Sequence, residues 1–181
     1  MRSLRFALGL VLALGSACDD GNADKPVAKG PIDAPFEVKI NKVEVLDEVA
    51  PNKTYLENGL GKKAGPGKTF VCVQYEVTNT GGAKSREAGA EGRMKVNVSA
   101  LPLPKVVDPG GVETDVSTEA AGSYQPADWE TKTGDVEPGK SAKKADCFAV
   151  AKDKTDGLKF RLSGDVEQQP WTLEVPLPPK A

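Results

Sequence analysis

The feature that most constrains the fold is the alternation between Lys68 and Asn79. Val71, Val73, Tyr75 and Val77 take every second position, with Cys72, Gln74, Glu76 and Thr78 between them. Side chains of a strand point to opposite faces with a period of two, so this segment predicts a strand with one apolar face. The same period recurs along the chain. Phe36, Val38 and Ile40 alternate with polar residues, and Val43 and Val45 then alternate in the opposite phase. One slip in a period of two predicts a strand with a bulge near Asn41-Lys42. Further strands are predicted at Met94–Ala100, Val112–Val116, Ala145–Ala151, Leu158–Leu162 and Trp171–Val175.

The segments between them carry turn chemistry. Asp108-Pro-Gly-Gly111 and Glu137-Pro-Gly139 are tight turns, and Gly59, Gly61, Gly65, Pro66 and Gly67 make residues 50–67 a loop. Pro176, Pro178 and Pro179 end the last strand by removing backbone donors. About seven short strands and no convincing helix predict an all-β fold, an antiparallel two-sheet sandwich.

The cysteines refine this picture. If the valine face of 71–77 is core, Cys72 points away from it. If Phe148 and Val150 are core, so does Cys147. Two such cysteines can bond only from neighbouring strands of one sheet, so a cross-strand disulfide Cys72–Cys147 is expected. Closing a loop of that length would stabilise the fold by roughly 4 kcal/mol in the chain-entropy picture.

The N-terminus says where the chain resides. Arg2 and Arg5 precede an apolar run, Phe6 to Leu14, too short for a bilayer core of roughly 30 Å. Leu14-Gly-Ser-Ala-Cys18 resembles a lipobox, with the leucine one place further from the cysteine than usual. Residues 1–17 are expected to be a signal peptide and Cys18 the lipidated first residue of the mature chain. The membrane is then a partner through that lipid, and the location is the bacterial cell envelope, on its periplasmic face or the cell surface. Residues 18–35 are polar, with Pro26, Pro31 and Pro35, and predict a flexible tether. The sandwich domain is expected over 36–178.

Composition excludes several function classes. The chain contains no histidine, which removes Ser-His-Asp and Cys-His catalysis and imidazole metal sites in their ordinary forms. The mature chain has 22 basic against 26 acidic residues, giving no electrostatic case for nucleic acid. No metal or other cofactor is expected.

Three stretches, in this order and spacing, resemble a family of bacterial extracellular domains with an immunoglobulin-like sandwich, related in fold to mycobacterial immunoprotective antigens. They are Gly67-Lys-Thr-Phe70 through Asn79-Thr-Gly81, Val106–Gly111 with the strand after it, and Val136-Glu-Pro-Gly139 through Phe148-Ala-Val150 to Leu158-Lys-Phe160. The resemblance covers most of residues 36–175. It implies an immunoglobulin-like fold and an envelope location, and no catalytic residues. The cysteine pair and the polar segments 83–93 and 119–135 depart from it.

Ser141-Ala-Lys-Lys144 and Lys132-Thr-Gly134 match motifs of penicillin-binding enzymes, but their order is reversed and the first sits in a strand. Asp153-Lys-Thr-Asp156-Gly157 lacks the further oxygen ligands of a calcium loop and reads as a turn. Lys62, Lys63 and Lys68 read as a solvated loop. Tyr124, Asp128, Trp129 and Glu130 form the candidate binding loop, where aromatics beside carboxylates could stack on a sugar or anchor a protein. The expected function is a non-catalytic module of an envelope lipoprotein that binds an envelope protein or glycan. The alternative is a hydrolase using a carboxylate pair on an envelope glycan.

Overall fold

The computed structural model describes residues 27–29, 32–50, 61–84, 93–94, 100–120, 124 and 136–179. Three long strands form one antiparallel sheet. Central β5 (Lys68–Asn79) pairs with β2 (Phe36–Leu46) on one side and β10 (Ser141–Ala151) on the other. The second sheet runs β1 (Val27–Lys29), β12 (Gln169–Pro176), β11 (Lys159–Val166), β8 (Lys105–Val107), β9 (Glu113–Asp115). Two short pairs lie outside these sheets: β3 (Glu48–Val49) with β4 (Lys62–Lys63), and β6 (Ala83–Lys84) with β7 (Arg93–Met94).

Setting aside β1 and the short pairs, seven strands remain among the described residues, as expected. In chain order, the first, second and fifth share one sheet and the other four share the second. This is an immunoglobulin-like layout in which the fourth strand lies beside the third, where the constant-type domain puts it beside the fifth. The chain after β9 compensates in part. Val116 bridges to Phe148, and Ser117 N–H donates to the Cys147 carbonyl at 2.8 Å, closing that side of the sandwich.

The core lies between the sheets. Val71, Val73, Tyr75 and Val77 face Phe160, Leu162, Trp171, Leu173 and Val175, with Phe148 and Val150 beside them. Tyr75 and Phe160 stack tilted at 4.6 Å, and Phe36 meets Trp171 at 5.8 Å. The register of β2 shifts between Ile40 and Lys42, which keeps Phe36, Val38 and Ile40 and then Val43 and Val45 on the core side.

The turns follow their chemistry. In the β8–β9 hairpin, Gly111 takes a φ of 86° and Val112 N–H donates to the Asp108 carboxylate at 2.9 Å. Pro138 and Gly139, the latter at φ 78°, build a type II turn closed by Lys140 N–H on the Glu137 carbonyl.

Three expectations are corrected. The tether does not run to residue 35, because β1 pairs its backbone with β12 and Ile32 is fully buried in the core. The strand expected from Ala145 begins at Ser141, since pairing with Thr78 continues through its polar start. Leu158–Leu162 and Trp171–Val175 are arms of one longer hairpin, joined by Glu167 and Gln168 at φ 48° and 67°. Of the strand expected at 94–100, residues 95–99 lie outside the described residues.

That two-residue loop needs positive φ at both positions, which glutamate and glutamine adopt at a cost. Replacing them together, Glu167→Asn with Gln168→Gly, is expected to stabilise the domain by about 1 kcal/mol, seen as a melting temperature higher by about 3 °C. An unchanged or lower melting temperature contradicts this account of the turn.

Candidate functional site

Cys72 and Cys147 face each other directly across β5 and β10 and are joined by a disulfide, with Cα atoms 4.0 Å apart. As expected, they point away from the main core. The outer face is nevertheless not solvated. Phe70, Cys72 and Cys147 are buried under Val49, Ala64 and Ala120, with Leu46, Tyr124 and Ala149 packed at the margin. Segments on either side of β5 thus fold back over it and make a second, smaller apolar layer.

Tyr124 fastens that layer. Its hydroxyl donates to the Glu44 carboxylate and accepts from Gln74 Nε2 at 2.8 Å. Lys42 Nζ lies 2.9 Å from the same carboxylate. The tyrosine hydroxyl, and next Lys42, hold the Glu44 carboxyl below its ordinary value, against the opposing effect of burial. Burial, the largest influence, pushes the Tyr124 phenol up. Tyr124 is therefore spoken for by contacts within the domain. Asp128, Trp129 and Glu130, the rest of the expected binding loop, lie outside the described residues, as does Cys18.

A row of charges crosses the outer face of the other sheet. Arg161 Nε and Nη2 both donate to Glu174 Oε1, at 3.0 and 2.5 Å, and Nη1 donates to Glu113. Lys105 Nζ sits 2.8 Å from Glu113 and 3.4 Å from Asp115. Glu113 raises the Lys105 ammonium above its ordinary value, and Lys105 lowers the Glu113 carboxyl. Glu174 is the buried member, its side chain only 4% exposed, and Lys159 approaches it at 3.7 Å. β9 and β11 contribute charges at alternate positions and β8 and β12 one each, and the register brings these together.

The third feature is an open cleft of about 320 Å³ beside β2. It is lined by the unbroken run Lys42–Leu46 together with Val71, Thr155, Leu158, Leu177 and Pro178. Alternate residues of a strand point to opposite faces, so five consecutive residues can line one cleft only if the strand's backbone edge forms the wall. β2 is the edge of its sheet, pairing only with β5 among the described residues.

Reactive groups do not converge in this cleft. Its charged side chains, Lys42 and Glu44, are paired with each other. Ser141 and Lys144 lie three apart on β10 and so face opposite ways, with the Ser141 hydroxyl 2.7 Å from that of Thr78. Residues 152–154 form one 3₁₀ turn. Among the described residues, no three acidic or cysteine side chains gather to hold a metal, and no helix is long and apolar enough to cross a membrane.

No protein-family model matches the sequence, and no curated protein does. Two solved structures are similar to the chain. A conserved hypothetical protein from Bacillus anthracis is similar over 84% of this chain and 99% of its own, at 18% identity and a TM-score of 0.49. An uncharacterized β-sandwich protein from Clostridium difficile is similar over 78% and 86% respectively, at 15% identity and a TM-score of 0.36.

Two predictions follow from the polar clusters. Arg161→Met takes the two hydrogen bonds of Arg161 from a buried carboxylate and is expected to cost about 3 kcal/mol in denaturant unfolding. Adding Glu174→Gln should recover part of that loss, and a neutral single substitution contradicts the assignment. For Glu44 the sign is that of a depressed acid. Its contribution is present above the ordinary value of 4.5 and is lost as pH falls through the lower folded value. Carboxyl NMR should therefore place the Glu44 midpoint below 4.5 and move it upward in Tyr124→Phe. No movement would mean the hydroxyl does not hold the carboxylate.

Proposed function

We propose that this chain is an envelope lipoprotein whose sandwich is a non-catalytic binding module. Residues 1–17 are the signal, and Cys18 carries lipid. The observation that carries the binding role is the open cleft along β2, a concave site lined by aliphatic residues together with Lys42, Glu44 and Thr155. The missing histidine and the mutual pairing of the charged groups support a non-catalytic reading. Among the described residues, Glu44, Glu113 and Glu174 are each engaged by a hydroxyl or a cation, which favours the binding reading over a glycan hydrolase.

Two measurements in cells test this. The chain expressed with its own N-terminus should fractionate with membranes, and its mature mass should begin at Cys18 with lipid added. Cys18→Ser should release it. A photo-crosslinking residue at Thr155, on the cleft, should capture a discrete species that the same residue at Ser163, on the opposite sheet, does not. Unmodified Cys18, or the same captured species from both positions, contradicts the proposal.

A further inference from the structure

The β2 cleft has the form of a missing strand. Its wall is an edge from Lys42 to Leu46 with no strand beside it among the described residues, and Val71, Leu158 and Leu177 give its lining an aliphatic part. Val43 and Val45 lean inward on the main core, while Lys42 and Glu44 stand on the outer face. The bulge between Ile40 and Lys42 separates this stretch from the first half of β2. A bulge and lysines on an edge usually discourage promiscuous pairing. Beyond the bulge, however, five residues remain regularly paired to β5, and the cleft keeps the space beside them open.

We propose that this edge accepts an extended peptide segment of another protein as an additional antiparallel strand. Main-chain hydrogen bonds to Lys42–Leu46 would hold it, and its alternate side chains would enter the cleft. The surface of β2 specifies the sequence class. Residues opposite Val43 and Val45 face Leu158 and Leu177 and are aliphatic. The residue opposite Lys42 is acidic and the one opposite Glu44 is basic, because directly opposed strand positions favour opposite charges and penalise like ones. Read from its own N-terminus, the ligand is therefore aliphatic, basic, aliphatic, acidic. The inference rests on the reading of the cleft as a binding site and adds what occupies it.

The test uses the secreted chain carrying Cys18→Ser and a fluorescein-labelled peptide, Thr-Thr-Val-Lys-Val-Glu-Thr, followed by fluorescence polarisation. Saturable binding is expected. Exchanging the lysine and glutamate of the peptide should weaken it about tenfold, the combined effect of two opposed pairs turning repulsive. Two further peptides are N-methylated on alternate backbone nitrogens, one at odd and one at even positions. Only one of them should lose binding, because only one set of N–H groups faces β2. Lys42 is well exposed, so Lys42→Glu should leave the fold intact and shift preference to a peptide with lysine in place of glutamate. The peptide exchange reads the same contact should that variant fold poorly.

No saturable binding, equal loss from both methylated peptides, or indifference to the charge exchange overturns the proposal. So does self-association of the chain that Lys42→Glu abolishes, which would give the edge to a second copy. A discrete capture from Thr155 with no peptide binding would leave the binding role standing and reject only the strand.

Discussion

Strand β5 is buried on both faces, and much of the molecule follows from the need to cover both. One face, Val71 to Val77, is covered by the opposite sheet. The other carries Phe70, Cys72 and Gln74, and among the described residues neither of the larger sheets covers it. Its cover comes instead from Leu46 at the end of β2, Val49 in β3, Ala64 before β5, and Ala120 and Tyr124 before β10. An outward disulfide in an ordinary two-layer sandwich would stand in water. Here it is the floor of a small second core, tied at its margin by Tyr124, Gln74 and Glu44.

That arrangement concentrates stability on the β10–β5 side and leaves β2 as the open side. β10 is covalently joined to β5 and bridged at its outer edge by Val116. β2 has pairing on one edge only among the described residues, and the cleft lies along the other. A rigid frame with one exposed strand edge is a favourable setting for recognition, because the protein orders little of itself when a ligand binds. The charge row on the far sheet points the other way. Its acids and bases satisfy one another across four strands, which suits a solvated face better than a binding one.

Much of the fold was legible because its signals are local. The period of two located β2, β5 and the core-facing residues of β10, β11 and β12, and the phase slip located the bulge at Ile40/Lys42. Gly111 and Gly139 marked turns whose backbone requires them. The phase of Cys72 and Cys147 foretold a cross-strand bond. What escaped was non-local or chemically unmarked. Glu167-Gln168 makes a turn without glycine or asparagine, and β1 with Ile32 is embedded among prolines, glycines and charges. The second layer, the Glu44–Tyr124 contact and the Arg161–Glu174 pair depend on which strands become neighbours. No spacing in the chain encodes that. Aromatics mark the candidate loop, yet Tyr124 turns inward, and much of the cleft is lined by aliphatic residues whose pattern in the sequence is that of core.

The central claim is that the outer face of β5 is sealed, and the disulfide reports on it directly. The native protein can be exposed to increasing dithiothreitol, with free thiols trapped by alkylation and counted by mass. A sealed bond is reached only when the cover opens, so the rate of reduction should be slow and level off as reductant increases. Reduction that is immediate and remains proportional to reductant would mean that the bond stands in solvent and that the second layer does not exist.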